Sequence, residues 1–372
     1  IPVRVLLKQK VNSLIKIGGL AVGFTCSLLI LLYLHFEFSY ETFHKKAQNI
    51  YRVVEDHTSA QGTIMLASAT GPIGPLLASE LPEVKSAVRF IPATMLMRFG
   101  DKHFQEDKIF FTDSTVFDIF TFPFLKGDSR AALSKPFSIV LTNTSAQKYF
   151  GESNPIGQAL LIDNKILFTV TGVIQDIPFN SHLRFDMLLS MSTRQSASPG
   201  WLDTWDWSAY TYIETDPASD PKMLEQKLGQ FIENHKAKTN PSGQIKRALS
   251  IQSLTEIHLH SKRKGEFATP GNLSNLYVFS IVAVFILLIA CVNFINLTTA
   301  QAGKRAREVG VRKVIGGTRL QLVLQFLGES VIITLCAAIV ALAACNLLLP
   351  LFRNLIAVPV TTDLLLAPWS LL

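Results

Sequence analysis

Three long stretches of the chain are almost purely hydrophobic and stand out from mixed apolar and polar surroundings. Residues 17–34, 276–295 and 331–351 carry no charged side chain over 18, 20 and 21 positions. A helix needs about 20 apolar residues to cross a hydrocarbon core of roughly 30 Å. Backbone groups inside lipid must satisfy their own hydrogen bonds, so such segments are helical. The pattern therefore predicts three membrane-spanning helices.

The first of these stretches also resembles the apolar core of a signal peptide, since basic residues precede it. A signal peptide has an apolar region of about 7–15 residues followed by a small-residue cleavage site. The stretch here is longer, and no such site follows Leu34. We therefore interpret it as a membrane helix that remains in the protein.

Between the first two stretches, residues 37–275 show short β-rich runs that alternate with helical patterns, which is typical of a mixed α/β domain. Strands are predicted at 50–54, 138–141, 159–162, 166–174, 185–189 and 210–213. A helix over 145–150, capped from residues 142–144 and closed by Gly151, is expected. A second helix over 221–235 has an apolar face composed of Met223, Leu224, Leu228, Phe231 and Ile232. The polar segment 217–244 suggests a separate lobe, so we expect two lobes.

Charge is distributed unevenly and orients the helices. The chain is 48% hydrophobic and only 17% charged, against about 25% charged in a typical soluble domain, and its net charge is +7. Residues 1–16 and 298–330 together hold 10 basic and 2 acidic residues, whereas 37–275 hold 24 basic and 25 acidic ones. The positive-inside rule places the two basic segments in the cytoplasm and 37–275 outside the membrane. The orienting basic residues are Arg4, Lys8, Lys10, Lys16, Lys304, Arg305 and Arg307.

The same distribution argues against nucleic acid as a partner, because no soluble part of the chain has a basic excess. All four cysteines, Cys26, Cys291, Cys336 and Cys345, fall in the apolar stretches, so the external domain is not a disulfide scaffold.

No catalytic motif is found in residues 37–275. H-E-x-x-H, G-x-S-x-G and C-x-x-C are all absent. Two histidines, His258 and His260, would share one side of a strand, but no further ligand stands at metal spacing, so a solvated pair is favoured over a metal site. Helix capping by Asp113, or by Ser114, is expected in preference to acid–base work by Asp113 and Asp118. For the cluster of Trp201, Trp205 and Trp207, a core contact is favoured over a substrate-stacking surface.

The loop between the second and third apolar stretches has the most specific pattern. Residues 302–314 are compatible with a short amphipathic helix, which Gly316 and Gly317 end. Thr318 can then cap a helix that leads into the third stretch. Anchoring to anionic lipid would explain the basic charge. It would not explain E-V-G-V-R-K followed by a glycine pair, so we interpret the loop as one that transmits force.

This segment, E-V-G-V-R-K-V-I-G-G, resembles the cytoplasmic coupling segment of FtsX-type ABC transporter permeases, a family that includes MacB, LolC/LolE and FtsX. Further motifs resemble a MacB-like periplasmic core domain: G-G-L-A-V-G at 18–23, I-Y-R-V at 50–53, N-P-I-G-Q at 154–158 and T-V-T-G-V-I-Q-D-I-P at 169–178. Each motif is weak alone, but their order between matching helices covers nearly the whole chain.

The resemblance implies an organisation. The fold would be a membrane α-helical protein with an inserted mixed α/β extracytoplasmic domain. Such permeases have a fourth membrane helix, so the chain is expected to be a fragment that lacks it. The expected divisions are a cytoplasmic terminus (1–16), a first membrane helix (17–36), a periplasmic core (37–275), a second helix (276–297), a coupling loop (298–330), a third helix (331–351) and an extracytoplasmic end (352–372).

The resemblance also implies partners and a site. The chain has no G-x-x-x-x-G-K-[ST] motif. It would hold no cofactor of its own, and ATP and Mg would be bound by a separate cytoplasmic ATPase. Other implied partners are a second permease copy or half, a periplasmic adaptor or outer-membrane channel, and the bilayer of the bacterial inner membrane. The implied ATPase-coupling residues are Glu308, Val309, Gly310, Val311, Arg312, Lys313, Gly316 and Gly317.

Three functions remain open. The first is a permease for export or extraction of a peptide, antibiotic or lipoprotein. The second is a mechanical signalling permease that controls a cell-wall hydrolase or sensor and moves no substrate. The third is a membrane-anchored enzyme, which would require a catalytic site that the motif search does not find. The first is favoured.

Overall fold

The computed structural model describes residues 10–239, 245–300 and 318–356, together with the single residues 303, 309, 311 and 314. The chain divides into a helical unit, formed by the residues up to Phe38 and from Asn272 onward, and a β domain, Ser39–Gly271. The α-helices are α1 (Lys10–Phe38), α2 (Ile73–Glu80), α3 (Val116–Ile119), α4 (Asn143–Phe150), α5 (Ser192–Ala197), α6 (Pro221–Asn234), α7 (Lys236–Thr239), α8 (Ile257–His260), α9 (Leu273–Thr299) and α10 (Arg319–Ile356).

The β domain is built on one twelve-stranded sheet. Its strands are β1 (Ile50–Ser59), β2 (Gly62–Leu66), β3 (Ala69–Thr70), β4 (Val84–Phe99), β5 (Lys102–Thr112), β6 (Phe124–Gly127), β7 (Ser138–Thr142), β8 (Ala159–Ile162), β9 (Ile166–Ile174), β10 (Met187–Ser190), β11 (Ser208–Thr215) and β12 (Lys246–Ser253).

Four of the twelve strands form a βαββαβ unit. The order β12-β1-β11-β4 is antiparallel throughout, and α2 and α6 connect β1 to β4 and β11 to β12. This is the split βαβ arrangement. The chain between β4 and β11 forms an insertion, which continues the sheet in the order β5-β10-β7-β9-β6, with β8 pairing β4 and β9. The domain thus consists of a βαββαβ unit and an insertion that share one sheet.

Three buried clusters hold this domain together. One face of the sheet is covered by α3 and its flanking loops and is rich in aromatic side chains, among them Phe90, Phe110, Phe120 and Tyr212. On the opposite face, α2 and α6 cover the βαββαβ unit. The helix α4 packs on the insertion through Tyr149 and Phe150.

The sequence patterns identify half of the strands, β1 and β7 to β11, and miss β2 to β6 and β12. Strands β8 and β9 have the predicted limits, and the others extend or shift by a few residues. Helix α4 is capped as predicted: the Thr142 hydroxyl accepts a hydrogen bond from the Ser145 amide, and Gly151 ends the helix at φ 60°. In α6, the predicted apolar face is wrong at one position, because Met223 is 59% exposed while the other four residues are buried.

The helical unit contains three helices that are long and apolar enough to cross a membrane. They are longer than the apolar stretches: α1 begins at Lys10, and α10 begins at Arg319 and continues to Ile356. Thr318 caps α10 as predicted, because Thr318 and Gln321 exchange side chain–backbone hydrogen bonds of 3.2 and 3.4 Å. The longer helices include charged residues that the apolar stretches exclude, and three of them, Lys16, Glu37 and Glu329, are buried.

Small residues set the packing of this unit. A Cβ placed on Gly23 of α1 would lie 2.5 Å from the Ala290 Cβ of α9, and one on Gly19 would lie 3.0 Å from Asn293. The Ser27 hydroxyl donates to the Ala283 carbonyl across the same contact at 3.3 Å. Such spacing of small residues lets helix backbones approach closely in a membrane.

Candidate functional site at the root of the β domain

Most of the predicted coupling interface lies outside the described residues. This holds for Glu308, Gly310, Arg312, Lys313, Gly316 and Gly317, and for the orienting residues Arg4, Lys8, Lys304, Arg305 and Arg307. Val309 and Val311 are helical, and Val311 is exposed. Lys10 is the first residue of α1, and Lys16 is buried. The coupling role of these residues stays a prediction.

Two chain segments form the root of the β domain. The entry segment, residues 39–46, follows α1 directly, and the exit segment, residues 254–271, leads directly to α9. Any displacement of the helix ends must pass through these two segments to reach the sheet. These two segments are the points at which the chain passes between the helical unit and the β domain.

The entry segment is held by a buried carboxylate. Glu41 is fully buried, and one carboxylate oxygen lies 2.7 Å from His182 Nδ1 and 2.5 Å from the His182 amide. The other oxygen lies 3.2 Å from His44 Nε2 and accepts from the Ser181 hydroxyl. Burial alone would raise the pKa of Glu41, but the charge and hydrogen bonds of His182 and His44 outweigh it and lower that pKa to about 2.

The exit segment is held by a buried guanidinium. Arg52 of β1 is fully buried, and its two terminal nitrogens lie 2.6 and 2.7 Å from the two oxygens of Glu266. Gln252 and Ser261 accept further hydrogen bonds from Arg52. Burial alone would raise the pKa of Glu266, but the hydrogen bonds and charge of Arg52 outweigh it and lower that pKa. This bidentate geometry is among the strongest side-chain contacts available to a protein.

Tyr212 lies between the contacts of Glu41 and those of Arg52. Its hydroxyl lies 2.6 Å from His182 Nε2, and it pairs across the strands with Arg52. Burial raises the pKa of Tyr212. The root network, Glu41, His182, Tyr212, Arg52 and Glu266, thus runs from the entry segment through the adjacent strands β11 and β1 to the exit segment, and strand pairing makes the link between Tyr212 and Arg52.

The geometry of Glu41, His182 and Tyr212 resembles an acid–base relay, but it is sealed. Glu41 and Tyr212 are 0% exposed and His182 is 4% exposed. None of the three lines the cavity found in the β domain. A substrate could not reach the histidine or the hydroxyl, so the network works as a structural link.

The root segments also contact each other. Tyr40 stacks on His258 with ring centroids 3.4 Å apart. His258 and His260 lie in α8, so the predicted strand placement is wrong. Among the residues that the structure describes, no group of three or more His, Cys, Asp or Glu side chains could hold a metal ion. His258 therefore packs as an aromatic ring between the two segments.

Asp113, Trp201 and Trp207 lie on the face of the sheet opposite to the root network. Asp113 caps no helix, contrary to the prediction; it receives hydrogen bonds of 2.9 and 2.8 Å from Nε and Nη2 of Arg89. Trp207 packs on Gly71 and stacks on Trp201 with centroids 4.6 Å apart. The guanidinium of Arg89 lies 5.5 Å from the Trp207 ring. These tryptophans form a packing contact within the domain, as favoured from the sequence.

The network itself could not be found from the sequence motifs. Arg52 lies in a hydrophobic strand pattern, I-Y-R-V-V, and such a charge demands a buried partner. That pattern indicates that Arg52 needs a carboxylate partner. It does not identify Glu266, which is 214 residues away from Arg52 in the sequence.

Comparison with known proteins agrees with this organisation. Residues 13–231 match the family model of the MacB-like periplasmic core domain, and residues 280–372 match the FtsX-like permease C-terminal model. The macrolide export ATP-binding/permease protein MacB of Bdellovibrio bacteriovorus is 25% identical over 55% of this chain and 30% of its own length. The pyoverdine export ATP-binding/permease protein PvdT of Pseudomonas syringae is 26% identical over 68% of this chain and 37% of its own. The chain thus spans about a third of these relatives.

A solved domain of a putative permease protein from Porphyromonas gingivalis has the same fold. It aligns with a TM-score of 0.51 and 20% identity, covering 63% of this chain and 98% of that one.

Proposed function

The chain belongs to the family of FtsX-like permeases with a MacB-like periplasmic core domain, and on that basis we propose that it is the permease part of an ABC transporter. A separate ATPase, which holds ATP and Mg, docks on the coupling loop at residues 298–330. A second permease copy or half completes the assembly in the bacterial inner membrane, with the β domain in the periplasm. The work done on the periplasmic side is export or extraction of a peptide, an antibiotic or a lipoprotein.

The root network is the observation that carries this proposal. A permease that relays motion needs its membrane helices attached firmly to the domain that moves. Here the segment after α1 is bound through Glu41 to His182, which contacts Tyr212 of β11, and the segment before α9 is bound through Glu266 to Arg52 of the adjacent strand β1. Breaking such a pair leaves an uncompensated buried charge, which costs roughly 3–5 kcal/mol. Displacement of a helix end is therefore expected to move the sheet as a body.

Coupling can be tested by charge reversal in the loop. The double variant Arg312→Glu/Lys313→Glu, reconstituted in liposomes with its partner ATPase, is expected to lose permease-stimulated ATP hydrolysis. Lys165→Glu, a charge reversal in the exposed turn between β8 and β9 of the β domain, is the matched control and should retain it. Unchanged stimulation in the double variant would refute the coupling role.

Mechanical signalling without transport is the second candidate, and the same rigid root supports it, because a relay needs no path for a substrate. The two functions separate experimentally. Vesicles that contain the permease and ATPase would accumulate or release a labelled substrate only in the first case. In the second, the full chain would retain a cell-wall hydrolase or sensor in a pull-down while no labelled molecule moves.

A further inference from the structure

A cavity of about 500 Å³ opens on the face of the sheet that α2 covers, between the βαββαβ unit and the insertion. Helix α2 and the start of β4 form one wall, and α5 with the loops after β5 and around Leu202 forms the other. This volume is within the range of small-molecule sites. None of the root network lies in it, so the link to the membrane helices does not depend on it.

The floor of the cavity is electrically neutral. Asp113 lines it, but both carboxylate oxygens are occupied by Arg89. The cation at its edge, Lys85, is paired with Asp216 at 3.0 Å. An ionic ligand would have to compete with these pairs and would gain little net charge attraction. The charge pattern therefore selects against anions and cations alike.

Neutral hydrogen-bonding groups converge on the same space. Within the described part of the chain, the side chains of Ser86, Ser114 and Gln195 line the cavity and make no hydrogen bond to the protein. A hydroxyl both donates and accepts, and a primary amide carries two donors and an acceptor. Such groups match the alternating N–H and C=O of a peptide backbone.

An apolar surface faces these groups. Ala78, Met191 and Leu202 supply it, together with the ring of Pro75. A few placed polar groups beside an apolar wall is the usual composition of a ligand site. Methionine adapts to side chains of different shape, which suits a site that accepts related ligands.

We infer that this cavity binds a short, uncharged, apolar peptide segment, with its backbone on Ser86, Ser114 and Gln195 and a side chain against Ala78 and Leu202. The inference deepens the proposed function by naming the class of molecule to which the periplasmic domain responds. It needs no ATPase for its test, so loss of binding and loss of coupling can be told apart.

The test is calorimetric titration of the full chain in lipid nanodiscs with N-acetyl-Ala-Leu-Ala-amide. We expect saturable binding, and much weaker binding of the charged analogue N-acetyl-Glu-Leu-Glu-amide. Ala78→Phe fills the cavity and should lower the affinity at least about tenfold, or about 1.4 kcal/mol. Gln195→Ala removes only an exposed amide and should weaken binding several-fold without affecting the fold.

The matched control is Ala237→Phe, on an exposed position of α7 away from the cavity, which should bind as the parent does. Tryptophan fluorescence verifies that each variant is folded. Three results would overturn the inference: no saturable binding of the neutral peptide, equal binding of the charged one, or unchanged affinity in folded Ala78→Phe and Gln195→Ala. Preferred binding of methyl glucoside over the peptide would equally reject a peptide ligand.

Discussion

The helical unit and the β domain differ in the contacts that stabilise each of them internally. In the helical unit, the closest contacts are made by residues with little or no side chain, such as Gly23 against Ala290. In the β domain, they are made by large aromatic rings and by buried ion pairs such as Arg52–Glu266. Lipid is as apolar as leucine, so only close van der Waals packing favours helix association there. In water, burial of large apolar surfaces drives folding, and a buried charge is tolerated once it is paired.

The β domain has paired charges at its root, beside the segments that continue into the membrane helices, and also elsewhere on the sheet, as in Arg89–Asp113. A directional contact fixes position better than an apolar one, because hydrogen-bond energy falls steeply with angle.

The largest effect is expected from Glu41→Gln, which keeps the shape of the side chain and removes its charge. Ionised Glu41 is favoured in the folded protein, so above the unfolded pKa near 4.5 it contributes fully to stability. The variant should lose about 3 kcal/mol of unfolding free energy at neutral pH. Denaturant unfolding followed by tryptophan fluorescence measures this, since Trp201, Trp205 and Trp207 all lie in the β domain.

The pH dependence sharpens the same prediction. The difference between parent and variant should shrink as the pH falls from about 4.5 towards 2, because the parent carboxylate then becomes protonated. Glu80→Gln is the control, since Glu80 forms a similar contact with His235 at 2.9 Å but is 39% exposed. It should change stability by less than about 1 kcal/mol. Equal losses of unfolding free energy in the two variants would contradict the assigned role of Glu41. A difference between parent and Glu41→Gln that does not change with pH would contradict it as well.

An intermediate effect is expected from Gly23→Ala, which disturbs the close packing of small residues between α1 and α9. The added methyl would lie 2.5 Å from the Ala290 Cβ, so α1 and α9 must separate. Overpacking of this kind costs about 1–3 kcal/mol. Unfolding of the helical unit in detergent, followed by labelling of the half-buried Cys26 and the buried Cys345, reports it.

Gly18→Ala is the control on the same helix, because a Cβ there meets nothing within 4 Å. It should be neutral or slightly stabilising, since alanine favours the helix over glycine. If both variants behave alike, helix association in this unit does not depend on the close approach at Gly23.

The two regions also differ in how much their sequences reveal. Apolar length alone identifies the membrane helices, because lipid imposes one requirement on every residue of a span. Alternation and caps locate β8, β9 and α4, whose signals are local. The start of α10 at Arg319 follows from the predicted Thr318 cap, whereas its end at Ile356 lies beyond the predicted limit at residue 351. The root network was missed because its partners, from Glu41 to Glu266, are brought together only by the sheet topology.

The smallest effect is expected from Thr142→Ala, at the cap of α4. Eight residues are too few to sustain a helix without help, so α4 depends on its cap and on packing by Tyr149 and Phe150. The Thr142 hydroxyl accepts from the Ser145 amide at 3.3 Å, and its removal should cost about 1 kcal/mol in denaturant unfolding. Thr142→Ser retains the oxygen and should cost clearly less. If serine and alanine cost the same, the loss comes from the buried methyl group of Thr142, and packing alone, as in the helical unit, would hold this helix in place.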